Sequence, residues 1–225
     1  AGLRTRAMQW GGAFLAVLVA VGVGGYTGAL PVTAVGVADT AGVLLLLSTV
    51  VFFAWLFTSA DYTTAERRRL IVVAVLFLAS ALFWSVFEQA GSTLNLFADR
   101  NTETALFGLP FPSSWFQSLN SFFIFALAPV FAWLWVWLAA RGQEPSSPGK
   151  FVVGLIFVGL GFLILVVASQ LAEQGIKVSP LWLTATYFLH TIGELTISPV
   201  GLSAMTRLAP ARIAGMVMGV WFLGT

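Results

Sequence analysis

Residues 70–97 read LIVVAVLFLASALFWSVFEQAGSTLNLF, an apolar run with a single charged residue, Glu88. A helix needs roughly 20 apolar residues to cross a bilayer core about 30 Å thick, and this run exceeds that length. The whole 225-residue chain has the same character, with 59% hydrophobic and only 9% charged residues. Soluble domains carry about 25% charged residues, and disordered chains are less apolar still. The composition therefore predicts an integral membrane protein.

Six stretches are long enough to cross the membrane completely, and a seventh begins near Ile213 and stops at Thr225. These stretches are apolar all round, which predicts an all-α, polytopic membrane protein. A chain that stops inside an apolar helix is interpreted as about half of a larger protein. The six stretches are Trp10–Leu30, Ala41–Thr58, Leu70–Phe97, Trp115–Ala140, Phe151–Ala172 and Leu181–Thr206.

Lys and Arg are distributed unequally between the two sides of these spans. With a cytoplasmic N-terminus, nine basic residues lie on the cytoplasmic side and two, Arg100 and Lys177, lie outside. Because cytoplasmic loops carry such an excess, we predict that orientation. The net charge of +2 is too small to indicate nucleic acid as a partner. The nine residues are Arg4, Arg6, Arg67, Arg68, Arg69, Arg141, Lys150, Arg207 and Arg212.

Two acidic residues, Glu88 and Glu194, fall well inside predicted spans. A charge at mid-bilayer costs at least about 2.5–3.5 kcal/mol on insertion scales, so such residues are candidates for a functional site. Polar residues at helical spacing accompany both acids and also mark the fourth span, which predicts a shared wet cavity. The alternative is ordinary hydrogen bonding between helices. The three stripes are Ser85, Ser92 and Asn95 with Glu88; Gln117, Asn120 and Ser121; and Tyr187, Thr191 and Ser198 with Glu194.

Helix-breaking residues lie beside both acids. Gly91 follows Glu88, and Pro199 and Gly201 follow Glu194. Proline removes an intrahelical hydrogen bond, and interrupted helices at corresponding positions of two repeats indicate a transporter binding site. We therefore predict that Gly91, Pro199 and Gly201 are helix hinges beside a binding site.

His190 lies four residues before Glu194, so the two side chains can touch on one helix face. Such a pair could relay protons near neutral pH. The alternative is a histidine that packs at a helix interface. With one His and no Cys, the sequence predicts no metal site.

Motifs of nucleotide-driven transport and of hydrolysis are absent from the sequence. It contains no G-x-x-x-x-G-K-[ST], no H-E-x-x-H and no Ser-His-Asp pattern. We therefore predict a protein that is not an enzyme and that uses no cofactor. Trp84 and Trp221 lie inside predicted spans, where either could line a pocket or pack in a core.

Two motifs carry a family resemblance. Residues 83–92, FWSVFEQAGS, followed by NLFADR at 95–100, resemble the seventh transmembrane helix of the proton-dependent oligopeptide transporter family. Residues 193–202, GELTISPVGL, resemble its tenth helix, and FQSLN at 116–120 and MGVWFL at 218–223 are similar to its eighth and eleventh. Order and spacing agree from about Leu70 to Thr225.

The resemblance implies a major-facilitator fold. Residues 70–225 would be a truncated C-terminal six-helix bundle, and residues 1–69 the linker helix pair and cytoplasmic loop that precede it in prokaryotic members. The family's E-x-x-E-R motif and its carboxylate-binding basic residues belong to an N-terminal bundle, which would be the partner of this chain.

The resemblance also implies roles for individual residues. Glu194, helped by Asn120, would hold the peptide's ammonium group, and Glu88 would serve in proton coupling and gating. Trp84, Trp221 and Thr225 would line a side-chain pocket. Together with the proton relay suggested for His190 and Glu194, these roles describe a peptide site with a proton site beside it.

The expected function is proton-coupled symport of di- and tripeptides across a bacterial cytoplasmic (inner) membrane. An alternative is the same fold with another cargo, such as nitrate, a drug or a modified peptide. A second alternative is a non-transporting membrane sensor or scaffold.

Overall fold

The computed structural model describes residues 19, 21–25, 27–28, 33–58, 62–106 and 108–224, most of which are helical. Two 3-10 turns, Glu88–Gly91 and Ala211–Ile213, connect helices, and two short strands pair antiparallel with Ala105 opposite Pro110. The helices and strands are α1 Ala34–Thr58, α2 Thr64–Phe87, α3 Thr93–Asn101, β1 Ala105–Leu106, β2 Leu109–Pro110, α4 Trp115–Ala140, α5 Ser147–Ala172, α6 Leu181–Leu208 and α7 Ala214–Trp221.

Four helical segments of the described residues are long and apolar enough to cross a membrane: Ala34–Thr58, Thr64–Asn101, Trp115–Ala140 and Ser147–Ala172. These four correspond to the second to fifth predicted spans, although the second begins at Ala34 rather than at Ala41. The first predicted span lies mostly outside the described residues. The sixth predicted span corresponds to the 28-residue helix α6, which is not among these four segments. The chain is therefore a multi-pass membrane protein.

The chain divides into two compact units, Ala1–Trp55 and Leu56–Thr225. This boundary falls within α1. The functional division predicted between residues 69 and 70 remains a prediction. The second unit contains both intramembrane acids and all elements described below.

Large apolar side chains face outward along the long helices of the second unit. Phe125 and Val136 on α4 are 83% and 71% exposed, and Leu163 on α5 is 62% exposed. Such exposure would be unfavourable in water, whereas lipid tails solvate these side chains as well as a protein interior does. The outer faces of α4 and α5 are therefore suited to the hydrocarbon core of a bilayer.

Helices α5 and α6 approach each other closely at glycines. A Cβ atom on Gly154 of α5 would lie 2.5 Å from the Ile197 side chain, and one on Gly193 of α6 would lie 2.9 Å from the Gly154 carbonyl oxygen. Small residues let membrane helices pack at short distance, since packing rather than the hydrophobic effect drives their association. These glycines fix the side-by-side position of α5 and α6.

The start of α2 is capped and tied to the segment before α7. The Thr63 hydroxyl accepts from the Glu66 amide while the Glu66 carboxylate accepts from the Thr63 amide, which is a capping box. Arg212 also pairs with Glu66, with Nη1 3.2 Å from Oε1. The guanidinium of Arg212 lies 4.9 Å from the centroid of the Tyr62 ring. The ends of α2 and α6 are thereby held together.

Lys150, at the start of α5, is a buried cation with two partners. Its Nζ is 2.6 Å from Oε1 of Glu144 and 4.2 Å from the centroid of the Trp135 ring. The Lys150 side chain is 8% exposed, so little water can replace a lost partner. Lys150 thus connects the start of α5 both to the preceding loop and to α4.

We predict that Glu144→Gln lowers the free energy of unfolding by about 1–3 kcal/mol, because it leaves a buried ammonium without its counter-charge. The measurement is the thermal unfolding midpoint of purified protein in detergent. Glu173→Gln, a change at an exposed acid at the other end of α5, is the matched control. Equal midpoints for the two variants would contradict a stabilising role for the Lys150 pair.

Candidate functional site

The apolar run that contains Glu88 is interrupted at that residue. Helix α2 ends at Phe87, residues Glu88–Gly91 form a 3-10 turn, and Ser92 adopts φ −118° and ψ −86° before α3 begins. Nothing lies within 4 Å of a Cβ placed on Gly91, so this glycine marks an open position. The interruption leaves Glu88 exposed on the surface of the unit. The break predicted beside Glu88 is present.

Helix α6, in contrast, runs without interruption through Pro199 and Gly201. A Cβ on Gly201 would overlap the Trp221 ring, so this glycine serves a close contact with α7. The expectation of a second interrupted helix is therefore wrong for this conformation, since Leu181–Leu208 is one helix with Pro199 inside it. The role of Pro199 and Gly201 as hinges remains a prediction.

The second acid, Glu194, is bound by an amide from a different helix. Nδ2 of Asn120 on α4 donates to Oε2 of Glu194 at 2.8 Å and to Oγ1 of Thr191 at 3.2 Å. Thr191 in turn donates to the Tyr187 carbonyl oxygen at 2.8 Å. The Asn120 amide thus uses both of its hydrogens, and it aligns the Glu194 carboxylate.

The three polar stripes meet at a cavity of about 200 Å³. Its lining contains Glu88 from the 3-10 turn, Gln117 and Asn120 from α4, and Tyr187 and His190 from α6. Members of all three stripes thus meet at one cavity, although Glu194 is not part of its lining and reaches it only through Asn120. The remaining lining residues are Phe87, Ala90 and Gly91.

A second cavity, of about 240 Å³, lies on the other side of Glu88. Trp84 lines it, and the buried Nε1 of this tryptophan has no hydrogen-bond partner among the described residues. Glu88 therefore contributes to both cavities and stands between them. The other residues that line this cavity are Ala81, Ser85, Leu223 and Gly224. No sequence pattern indicated that Ala81, Leu223 and Gly224 would line a cavity.

The other predicted pocket residues lie elsewhere. Trp221 is 4% exposed and packs against Phe151, with ring centroids 6.1 Å apart, so in this conformation it belongs to the core. Thr225 lies outside the described residues. Of the predicted pocket residues, Trp84 is the one that the described cavities include.

His190 is buried at the interface between α5 and α6. It is 1% exposed, and its ring packs between Phe87 and Phe162 at centroid distances of 6.1 and 5.1 Å. Within the described part of the chain, its Nε2 has no hydrogen-bond partner. Glu194 bonds to Asn120 instead of to this nitrogen. This geometry agrees with the alternative that His190 packs at a helix interface. A proton-relay role for His190 remains a prediction.

We predict that Gly161→Ala destabilises the protein because a Cβ there would lie 2.5 Å from Cδ2 of His190. The ring cannot yield easily, since aromatic rings flank it, and such overpacking costs about 1–3 kcal/mol. The thermal unfolding midpoint measures the effect.

The matched control is Gly159→Ala on the same helix, where nothing lies within 4 Å of the new Cβ. That change is expected to be neutral or slightly stabilising, because alanine is the better helix former. A Gly161→Ala variant as stable as Gly159→Ala would contradict the close packing of His190.

The interrupted helix, the amide-bound Glu194 and the cavities around Glu88 all belong to the second unit of an all-helical, multi-pass membrane protein. The family model described as the POT family matches residues 38–225. The chain belongs to the POT family. Its relatives in Yersinia enterocolitica and Bacillus subtilis are named transporters. This agrees with the prediction that the chain is not an enzyme.

The chain is 41% identical over 216 residues to the peptide transporter YePEPT of Yersinia enterocolitica, covering 95% of this chain and 42% of that protein. It is 42% identical over 185 residues to the uncharacterized transporter YclF of Bacillus subtilis, covering 82% of this chain and 37% of that protein. The chain thus spans less than half the length of these relatives.

Two solved structures likewise match nearly the whole of this chain and less than half of their own chains. A crystal structure of peptide transporter POT in complex with sulfate matches with a TM-score of 0.81 and 39% identity, covering 96% of this chain and 43% of the other. A POT family transporter in complex with 5-aminolevulinic acid matches with a TM-score of 0.82 and 31% identity, covering 98% and 45%.

Proposed function

We propose that this chain is the C-terminal half of a proton-coupled symporter of di- and tripeptides. The observation that carries the proposal is the Asn120–Glu194 bond of 2.8 Å beside a cavity that Glu88 also lines. Curated relatives named peptide transporters, or dipeptide and tripeptide permeases, support the substrate class.

Glu194 suits one end of a peptide zwitterion. A carboxylate that is half-buried and held by an amide attracts an ammonium group strongly, because the local dielectric constant is low. The peptide carboxylate needs a cation, which an N-terminal bundle would supply across the cavity. Trp84, which lines the second cavity, would then contact the peptide side chain.

Glu88 suits the coupling role because it stands between the two cavities on an exposed face. When ionised it can pair with a basic residue of the N-terminal bundle, and protonation removes that pair. A proton that binds one conformation better than another shifts the equilibrium between outward-open and inward-open states. We also propose that the chain lies in a bacterial inner membrane with its N-terminus on the cytoplasmic side.

The test is uptake into liposomes by the full-length protein that contains this chain. Labelled dialanine should accumulate when the outside is made acidic, and a protonophore should abolish accumulation. Excess unlabelled dialanine or trialanine should compete, whereas nitrate should not. Uptake of labelled nitrate in place of labelled dialanine would replace the proposed cargo, and no uptake of either would favour a sensor or scaffold.

A further inference from the structure

The ring of Tyr187 is fixed in the core of the second unit. The residue is 2% exposed and belongs to a buried cluster that joins three other helices to its own. That cluster comprises Leu94, Ala98, Phe116, Leu165, Leu183 and Tyr187. A side chain held on all sides can place its hydroxyl group accurately.

The hydroxyl of Tyr187 reaches the turn that carries Glu88. It donates to the carbonyl oxygen of Ala90 at 3.3 Å, and Ala90 lies in the 3-10 turn two residues after Glu88. Backbone carbonyls at membrane depth need a donor, because no lipid group supplies one. This bond connects α6 to the interruption between α2 and α3.

The other end of Tyr187 is connected to Glu194. Its carbonyl oxygen accepts from the Thr191 hydroxyl at 2.8 Å, and that hydroxyl accepts from the Asn120 amide, which also donates to Glu194. Each hydrogen in this series is used once, so all of the bonds can exist together. Tyr187 thus lies on a continuous path from Glu194 to the turn of Glu88.

We propose that Tyr187 is a positioning residue for Glu88, whose hydroxyl holds the 3-10 turn and links it to the state of Glu194. The role rests on the proposed symport function.

The test is Tyr187→Phe in the full-length protein, which keeps the ring in its cluster and removes the hydroxyl. The maximal rate of proton-driven dialanine uptake should fall about three- to tenfold, the range that a single hydrogen bond supports. The KM for dialanine and the rate of counterflow exchange should stay within about twofold of wild type, a separation that general destabilisation would not produce.

The matched control is Thr196→Val on the same helix. The Thr196 hydroxyl is also buried, but it donates at 2.7 Å to Ile192 within its own helix. This variant should behave as wild type. Proton-driven uptake by Tyr187→Phe that equals wild type would overturn the proposal, as would an equal loss of counterflow or a raised KM.

A second measurement does not depend on transport. Hydrogen–deuterium exchange of the peptide that covers residues 88–96 should be about three- to tenfold faster in Tyr187→Phe than in wild type or Thr196→Val. Unchanged exchange would overturn the positioning role even if uptake were altered. Absence of uptake by the wild-type protein would contradict the symport function instead, and exchange would still decide the role of Tyr187.

Discussion

Glu194→Gln in the full-length protein is expected to abolish dialanine uptake. Glutamine keeps the shape of the side chain and one side-chain oxygen. That oxygen can still accept from Nδ2 of Asn120, which lies 2.8 Å from Oε2 of Glu194 in the wild type. Only the negative charge is lost. Hydrogen bonds to charged groups contribute about 1.5–3 kcal/mol, so peptide affinity should fall roughly 10- to 150-fold.

Both proton-driven uptake and counterflow should fall to background, because each requires the bound peptide. The thermal unfolding midpoint should stay near that of wild type, since the network of Asn120 and Thr191 survives. Glu103→Gln, at an exposed acid outside the site, is the control and should transport normally. Uptake by Glu194→Gln with an unchanged KM would refute the assignment of Glu194 to the peptide ammonium.

Glu88→Gln is expected to separate coupling from binding. The variant should lose most proton-driven accumulation while it keeps counterflow exchange within about twofold of wild type. One proton moving down a 100 mV potential supplies about 2.3 kcal/mol, which supports roughly 40-fold accumulation. A variant that cannot use the proton should equilibrate its substrate at a ratio near one.

The measurement is the steady-state ratio of labelled dialanine inside and outside the liposomes, with and without a proton gradient. Glu103→Gln should accumulate dialanine to the same ratio as wild type. Normal accumulation by Glu88→Gln would remove Glu88 from the coupling mechanism. Loss of counterflow as well would move Glu88 into the peptide site.

The sequence was sufficient to predict the membrane-spanning fold and the two acids. Long apolar runs can hardly be anything but transmembrane helices, because only a helix satisfies its own backbone in lipid. Charge at membrane depth is costly, so Glu88 and Glu194 were conspicuous without any structure. Gly91 indicated a break beside Glu88, since glycine disfavours a continuous helix, and the structure has a 3-10 turn there.

Rotation of the helices could not be predicted in the same way. Outside the polar stripes these helices are apolar all round, so periodicity does not tell which of the remaining faces meets lipid and which meets a neighbour. Trp221 and Trp84 therefore looked alike in sequence, yet one packs in the core and the other lines a cavity. Likewise, Gly201 and Gly91 both suggested hinges, although one is a packing contact and the other an open position.

The sequence by itself thus determined that the chain crosses a membrane and that Glu88 and Glu194 are its exceptional residues. Only the tertiary structure decided that Asn120 binds Glu194 and that Glu88 stands between two cavities. It also placed the Tyr187 hydroxyl on the turn of Glu88. The reason is physical: insertion depends on the composition of each helix alone, whereas the site depends on how close packing at glycines orients several helices toward one another.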